Sequence, residues 1–401
     1  MRISKRTWQR PVGGGRGTAW EVTYKDAGGT RRRRQFDRRN EAEAFSRRVS
    51  SEIYHGEHAV AAERTTLREA ARVWLDTLRV GRDGEGPIAT ATRIQYEWAL
   101  KSYILPRIGD LRLSALTRPV LLGFRDSLLT GPRVRPESGA DAGHRPLARG
   151  SALRVLKALK ACLNEARRRG LVATDTWRDV SIKVGARHRV RVEMPDLAAV
   201  RTLLTVAAAR CDHPDPHTAF SRRRIYALVA AAAMTGLRQG ELRALTWRCV
   251  QFKRQLVRVE CAADVMGIIS SPKTARSRRE VELPPELARI LKEWKLVIPR
   301  PALVRDLVFP RVDGGVLDKS NLSSRGWVPL RQEAGLPTLR FHALRHYYAS
   351  SMIADGATAR EIMDAMGHTS VEITFDVYGH LFPEDRQGRT ARASRLARSL
   401  L

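Results

Sequence analysis

Cysteine is scarce in this chain, and the four cysteines that occur form no C-x-x-C pair. This usage argues against a disulfide-stapled scaffold and predicts free thiols in a reducing cytoplasm. Long apolar runs are missing as well, because the longest stretch, residues 225–237, is shorter than the roughly 20 residues that a membrane helix needs. The first residues contain no apolar segment of the signal-peptide kind. We therefore expect a cytoplasmic chain without a membrane anchor.

Acidic residues are too few to balance the basic ones. The chain has 42 Asp plus Glu against 72 Lys plus Arg, which gives a formal net charge of +30 at pH 7. An excess of this size creates a positive field whose natural partner is a polyanion. The 43% share of apolar residues is that of a globular chain. Nucleic acid is therefore the expected partner before any motif is considered.

The sequence also lacks a convincing metal or nucleotide motif. Residues 211–217 (CDHPDPH) contain ligand-type side chains, but their two prolines favour a solvated connector. The glycines at positions 13–15 precede no recognisable strand–helix phosphate site. We expect neither a metal nor a cofactor.

Residues 1–60 have the pattern of a small sheet with one helix. Trp20, Val22 and Tyr24 alternate as in a strand, residues 26–29 (DAGG) suit a hairpin turn, and a helix follows. The returning strand carries four arginines, which a strand distributes two to each face. A solvated basic hairpin is the alternative, but the global charge favours DNA contact by Arg31, Arg32, Arg33 and Arg34.

Residues 65–183 indicate helices throughout. A capping box opens the first helix at residues 65–69, and further helices are predicted at about 90–105, 118–129 and 151–169. The last carries Arg154, Lys157 and Lys160 beside an apolar stripe. One basic helix of this kind is usually a solvated face, but several in one helical module favour groove or phosphate binding. Residues 131–150, rich in Gly, Pro and Arg, are interpreted as a loop.

The remaining residues, 190–401, follow a basic connector at 183–191 and are mostly helical. A strand-rich insert is predicted near 255–283, with strands at 256–259, 265–269 and 281–283. The tail, 379–401, has spacing that suits a short basic helix with an apolar edge, and a solvated basic extension is the alternative.

Four segments of this last region contain residues suited to phosphate chemistry. They are 235–242 (TGLRQGEL), 271–279 (SPKTARSRR), 341–346 (FHALRH) and 366–380 (MGHTSVEITFDVYGH). An arginine at a helix start can hold a phosphate, and a histidine can exchange protons near neutral pH. His342 and Arg345 are three residues apart on a predicted helix and so share a face.

Each segment has an ordinary structural explanation when it stands alone. Arg238 could pair with Glu241 three residues on, and Lys273 at a turn is normally solvated. His346 receives a packing role by default. A tyrosine at the end of a helix, such as Tyr378, is most often a core or interface residue.

Taken together, the segments resemble the tyrosine recombinase (phage integrase) family. Its signatures are an Arg within T-G-x-R-x-x-E-L, a β-hairpin Lys, H-x-L-R-H, and L-G-H followed by a Tyr. These motifs occur here in the right order over about 140 residues, a specific signal although each motif is modest. Two departures, Ala343 for a common Asp and Met366 for a common Leu, touch none of the proposed chemistry.

The resemblance implies a role for each matching position. These are a nucleophile at Tyr378, a phosphate clamp at Arg238 and Arg345, a general acid at Lys273, supporting histidines at His342 and His368, and an orienting carboxylate at Glu241. The fold class it implies is mainly α with small β elements: an arm-type sheet-plus-helix module (1–60), a helical core-binding domain (65–183) and a mixed α+β catalytic domain with a tail (190–401).

The function it implies is site-specific cleavage and rejoining of DNA through a 3′-phosphotyrosine, which integrates or excises a mobile element without a cofactor. The implied partners are double-stranded attachment sites, a homotetramer on synapsed DNA, and a directionality factor or host DNA-bending protein, at the nucleoid. Three alternatives stay open: a Xer-like resolution recombinase, a type IB topoisomerase, and a non-catalytic DNA-binding regulator. Competent residues at every catalytic position argue against the regulator.

Overall fold

The structure is a computed structural model that describes residues 1–9, 16–25, 29–54, 60–81, 86–131, 146–183, 185, 194–271, 278–382, 394–395 and 397–398. The chain divides into two compact units, Met1–Arg189 (unit 1) and Val190–Leu401 (unit 2). The further division of unit 1 near residue 60 stays a prediction.

Unit 1 begins with a three-stranded antiparallel sheet and one helix packed on it. The elements are β1 (Arg2–Gln9), β2 (Arg16–Lys25), β3 (Arg31–Phe36) and α1 (Arg39–Tyr54), with strand order β1-β2-β3. Alternate residues of β2 face the helix, so that Val22 and Tyr24 pack with Phe45 and Val49. The predicted strand pair and helix are confirmed, whereas most of the proposed turn (26–28) lies outside the described residues.

The sequence pattern does not predict β1. Ile3 is the only residue of this strand that packs against the small core, and Trp8 is 46% exposed, so the alternation is too weak to detect. The strand is visible only through its register, which runs from Arg2 opposite Thr23 to Gln9 opposite Arg16.

The rest of unit 1 is helical, as predicted. The helices are α2 (Leu67–Val80), α3 (Thr90–Ala99), α4 (Leu105–Ile108), α5 (Arg118–Thr130) and α6 (Arg149–Arg168). The capping box is present, since Thr66 Oγ1 accepts from the Glu69 backbone N–H and the Glu69 carboxylate accepts from that of Thr66. Trp74 and the leucines of α6 form the core. Most of the predicted loop 131–150 lies outside the described part of the chain.

Unit 2 is built around one buried helix. Its helices are α7 (Leu197–Ala209), α8 (Pro216–Thr235), α9 (Gln239–Ala244), α10 (Pro285–Leu296), α11 (Lys319–Asn321), α12 (Val328–Glu333), α13 (Ala343–Ala354), α14 (Ala359–Met366) and α15 (Val371–Tyr378). Residues 227–233 of α8 are all buried, which is the pattern of a central helix. α7, α10 and α13 pack against it.

Short strands link α9 to α10. They are β4 (Val250–Gln251), β5 (Leu256–Val259), β6 (Ala262–Ala263), β7 (Ile269–Ser270) and β8 (Arg279–Glu282), paired as β4-β5-β8 and β6-β7. The strands predicted at 256–259 and 281–283 are confirmed within a residue or two. The strand predicted at 265–269 is wrong, because the Asp264 carboxylate accepts from the N–H groups of Met266 and Ile268 and folds these residues into a turn.

Neither a membrane-spanning helix nor a cluster of metal ligands occurs among the described residues. None of the helices there is long and apolar enough to cross a membrane. No cluster of three or more His, Cys, Asp or Glu side chains suited to a metal ion occurs among the same residues.

Candidate active site

The turn between α8 and α9 positions Arg238. α8 ends at Thr235, and Gly236 has a left-handed φ of +62°. A Cβ on Gly236 would lie 2.4 Å from Tyr348 Cδ1, so the turn requires glycine. Arg238 then precedes α9 with its side chain 36% exposed. The predicted helix–turn–helix is confirmed.

Glu241 is the negative centre of the site. Its Oε1 accepts from Arg238 Nη1 at 2.8 Å, and its Oε2 accepts from the Arg238 backbone N–H at 2.8 Å. Arg279, at the start of β8, donates from Nη1 to Oε1 at 3.1 Å and from Nη2 to Oε2 at 2.9 Å. Burial alone would raise the pKa of Glu241, but Arg279 and then Arg238 lower this pKa to about 2.

Arg345 lies near the start of α13 and is 3% exposed. Its Nη1 donates to the Gly236 carbonyl at 2.6 Å, and its Nη2 donates to the Met366 carbonyl. Burial, followed by the positive charge of Arg238, lowers its pKa from the ordinary value. Backbone carbonyls therefore hold the Arg345 guanidinium. Among the hydrogen bonds of the described residues, this guanidinium has no carboxylate partner.

The end of α14 and the loop that follows it join the two arginines. Gly367 has a left-handed φ of +60°, and its carbonyl accepts from Arg238 Nη2 at 2.9 Å while that of Met366 accepts from Arg345. The Ala365 carbonyl accepts from Arg279 Nε at 2.7 Å. Three arginines distant in sequence are therefore held by three consecutive carbonyls.

His368 follows this loop. Its Nδ1 lies 2.9 Å from Thr374 Oγ1, and Thr374 is fully buried in α15. Burial, followed by the positive charges of Arg345 and Arg238, lowers the pKa of His368 to about 4. The ring is therefore neutral at pH 7 and can donate one hydrogen bond to an anion.

Tyr378 is the last residue of α15 and is 1% exposed. Its hydroxyl lies 2.7 Å from His346 Nδ1, and the ring centroids are 5.7 Å apart. Burial raises the pKa of Tyr378 to about 12, and Arg345 opposes this rise. His342, just before α13, is exposed and meets the His346 ring edge-on, with centroids 4.9 Å apart.

The structure thus brings together six of the seven residues proposed for catalysis: Arg238, Glu241, His342, Arg345, His368 and Tyr378. The seventh, Lys273, lies in 272–277, outside the described residues. The strand before this segment, β7, pairs with β6, and the strand after it, β8, pairs with β5. The three guanidinium groups and one carboxylate form a cluster with excess positive charge, which suits an anion such as a phosphate diester.

Comparison with known proteins identifies the family. The model of the phage integrase family matches residues 200–385. A tyrosine recombinase XerC from Corynebacterium efficiens is 30% identical over 274 residues, which cover 68% of this chain and 79% of that protein. The chain belongs to the phage integrase (tyrosine recombinase) family.

Other matches of this integrase-family chain are shorter or more distant. A tyrosine recombinase XerC-like protein from Caldanaerobacter subterraneus is 30% identical over 190 residues, and the match spans only about half of that relative (48%). The Tn1549 transposon integrase, solved with transposon right end DNA, has a TM-score of 0.61 at 15% identity. That match covers 83% of this chain and 100% of the solved one, and it shows that the fold is shared.

Sequence reasoning missed two members of the recombinase-family site. Arg279 is two residues before Val281 and four before Leu283, which are both buried. Strand periodicity therefore places the Arg279 guanidinium on the inward face of the strand, where a charged group needs a buried partner. His346 received a packing role, yet it contacts the hydroxyl of Tyr378. Its position one turn after His342 was the available signal.

The residues predicted to bind DNA lie in unit 1 and differ in their surroundings. Arg31 and Arg33 are exposed on the sheet face opposite α1, and Arg154 and Lys157 are exposed on α6. Arg34 lies over the Phe36 and Phe45 rings and pairs with Glu63 at 2.7 Å. Arg32 is on the same face as Arg34, because it pairs in register with inward-facing Tyr24. Lys160 donates to the Arg178 carbonyl at 2.8 Å.

Proposed function

We propose that this integrase-family chain is a site-specific DNA recombinase that uses Tyr378 as its nucleophile. The observation that carries the proposal is that the Tyr378 hydroxyl lies on α15, the helix that follows the 365–368 segment. The carbonyls of Met366 and Gly367 in this segment accept from Arg345 and Arg238. A nucleophile and two phosphate-binding cations in one chain are what phosphoryl transfer to a protein hydroxyl requires.

The proposed reaction exchanges one phosphodiester for another. The Tyr378 oxygen attacks phosphorus, the bond to the 5′-oxygen breaks, and a 3′-phosphotyrosine forms. Negative charge that develops on the non-bridging oxygens is stabilised by Arg238 and Arg345, with His368 as a hydrogen-bond donor. Lys273 supplies the proton that the departing 5′-oxygen needs. Because the bond energy is kept in the phosphotyrosine, the reverse step needs no ATP.

The proposed substrate is double-stranded DNA at specific attachment sites, with integration or excision of a mobile element as the outcome. Unit 1 supports this choice over a Xer-like resolution recombinase, because its exposed arginine face offers a second DNA contact. We further propose a homotetramer on synapsed DNA and assistance from a directionality factor or a host DNA-bending protein, at the nucleoid. The tail, largely outside the described residues, is proposed to pack on a neighbouring protomer.

A nicked suicide substrate tests the proposal. Once the strand next to the nick is released, the covalent complex cannot be religated and is trapped as a denaturant-resistant, protease-sensitive adduct. Tyr378→Phe should bind the site and form no adduct. Tyr348→Phe is the matched control, since Tyr348 also packs at the site through its contact with Gly236 and should leave adduct formation intact.

The same assay separates the alternatives. An adduct that persists in Tyr378→Phe would refute the assignment of the nucleophile. Specific binding without any adduct in the wild type would favour the non-catalytic regulator. The type IB topoisomerase needs a second substrate: relaxation of an intact supercoiled plasmid with one site, and no exchange between two sites, would favour it.

A further inference from the structure

The hydroxyl of Tyr378 has a hydrogen-bond partner to which the family resemblance assigns no role. His346 Nδ1 lies 2.7 Å from the Tyr378 oxygen. His342, the histidine that the resemblance selects, is exposed, and its described contact is with the His346 ring rather than with Tyr378. The group that touches the reacting atom is therefore His346.

The protonation states of the two groups allow Tyr378 to be the donor in this hydrogen bond. Burial, and then the charges of His342 and Arg345, lowers the pKa of His346 to about 4, so the ring is neutral at pH 7. A phenol with a pKa near 12 is protonated at that pH. With the ring hydrogen on Nε2, the tautomer that a proton-accepting role requires, the phenol O–H donates to Nδ1.

A proton acceptor beside the Tyr378 hydroxyl is needed because the phenol is protonated at pH 7. With a pKa of about 12, only about 10⁻⁵ of Tyr378 would be phenolate at pH 7. Removal of the proton during attack avoids this penalty, provided that the base is already within hydrogen-bond distance. His346 meets this condition, because its Nδ1 is within hydrogen-bond distance of the Tyr378 oxygen. It belongs to the same chain as Arg345.

We propose that His346 is a catalytic residue that takes the Tyr378 proton at Nδ1 while the phenol oxygen attacks phosphorus; this inference rests on the proposed recombinase function. The phenol O–H bond breaks as the Nδ1–H bond forms, and the new O–P bond forms as the bond to the 5′-oxygen breaks. Lys273 protonates that oxygen. On religation the imidazolium returns its proton to the phenol oxygen, and the attacking 5′-hydroxyl gives its proton to Lys273.

The charges around His346 favour proton uptake only once DNA has bound. The titratable and charged groups that face it are His342 and Arg345 on its own chain segment, Tyr378 on α15, and His368 on the preceding loop. Arg345 opposes a positive charge on His346 in the free protein, and Arg238 in turn opposes the charge of Arg345. A bound phosphate compensates both arginines, so the cost of forming the imidazolium falls at the moment when the proton must move.

The test is the pH dependence of single-turnover cleavage by the full chain. A suicide substrate with a bridging 5′-phosphorothiolate has a leaving group that needs little protonation, so the rate reports on the nucleophile rather than on Lys273. His346→Asn retains an acceptor oxygen near the Nδ1 position but cannot take up a proton. His346→Leu removes both properties, and His342→Asn is the control, at the residue just before the same helix.

We expect the wild-type rate to be nearly independent of pH between about 6 and 9, because a neutral base is present throughout. His346→Asn should be about 10²–10⁴ times slower at pH 7, and its rate should rise tenfold per pH unit, since solvent must then remove the proton. His346→Leu should show the same slope at a still lower rate. His342→Asn should be slower without acquiring the slope.

A pH-independent rate in His346→Asn would overturn the proposal, because a merely structural role would lower the rate without changing its slope. If this variant does not fold, the wild type alone decides: a normal solvent deuterium isotope effect on the phosphorothiolate substrate is expected, and its absence contradicts proton transfer to His346. Failure of the recombinase function is a separate outcome, in which the wild type forms no adduct with this substrate.

Discussion

Arg279 and Glu241 form a buried two-point ion pair, with Nη1 3.1 Å from Oε1 and Nη2 2.9 Å from Oε2. Only 5% and 4% of the two side chains are exposed. Because Arg279 also donates to the Ala365 carbonyl and Glu241 also binds Arg238, this pair fixes the strand β8, the helix α9 and the end of α14 relative to one another. The geometry of the phosphate site depends on it.

Removal of one partner should therefore be costly. We predict that Arg279→Gln lowers the free energy of unfolding by about 3–5 kcal/mol, because a buried carboxylate loses its main partner. Urea denaturation of the full chain measures this loss. Arg289→Gln is the control, since Arg289 pairs with Glu293 on the surface of α10, where such a pair contributes about 0–1 kcal/mol. Equal effects of the two variants would contradict the structural role of Arg279.

The same pair predicts a pH dependence of stability. The pKa of Glu241 is lowered to about 2 in the folded chain, below its value in an unfolded chain of about 4.3. A lowered carboxyl pKa contributes stability that is present above the unfolded value and is lost as pH falls through the folded value. We expect stability to fall between about pH 4.5 and 2, and Glu241→Gln to remove part of that slope. A slope unchanged in Glu241→Gln would contradict the ion pair.

Gly367 should tolerate no side chain. Its φ is +60°, and a Cβ would lie 3.0 Å from Arg279 Nη1. We predict that Gly367→Ala costs about 1–2 kcal/mol in backbone strain and also slows adduct formation, because Arg279 and the neighbouring carbonyl acceptors must shift. Gly356→Ala is the matched control: φ is +89° there, but a Cβ would meet only open space. For Gly356→Ala we expect backbone strain without slower cleavage. The same result for Gly367→Ala would argue against the contact between its Cβ and Arg279.

The two faces of β3 should behave differently on DNA. Replacing Arg31 and Arg33 with Gln should weaken binding to long sites with flanking sequences and leave short core sites nearly unaffected. Each lost phosphate contact should lower the salt slope by about 0.9. Replacing Arg34 should act mainly on stability, because Arg34 pairs with Glu63 and covers two aromatic rings. Mobility shifts on both site lengths measure the effect, and equal losses on long and short sites would refute the arm assignment.

The role of Lys273 can be tested by changing the leaving group of the substrate. We predict that Lys273→Ala slows cleavage of ordinary DNA by about 10²–10⁴, the usual contribution of a general acid. A 5′-phosphorothiolate substrate should restore most of the rate, since its leaving group needs little protonation. Equal defects on both substrates would indicate that Lys273 positions the phosphate instead.

Local patterns were sufficient for the helices of unit 1 and for most of the candidate site. Helix periodicity and the capping box at Thr66 located the helices, because these signals depend on residues three or four apart. The motif order selected Arg238, Arg345 and Tyr378, which the fold does bring together. The strand predicted at 265–269 was wrong because the Asp264 side chain binds the backbone within that apolar run, and a side-chain cap of this kind overrides composition.

The sequence by itself determined which residue types are available for phosphate chemistry and on which local elements they lie. Only the tertiary structure decided their partners, because hydrogen bonds between positions 38 to 129 residues apart depend on how the helices and strands pack. Arg279 therefore looked like one more basic residue in a basic segment until its buried contact with Glu241 was visible. His346 likewise became a contact of the Tyr378 hydroxyl only when the ends of α13 and α15 met. Burial, which no local pattern specifies, then determined the protonation state of both partners in that contact.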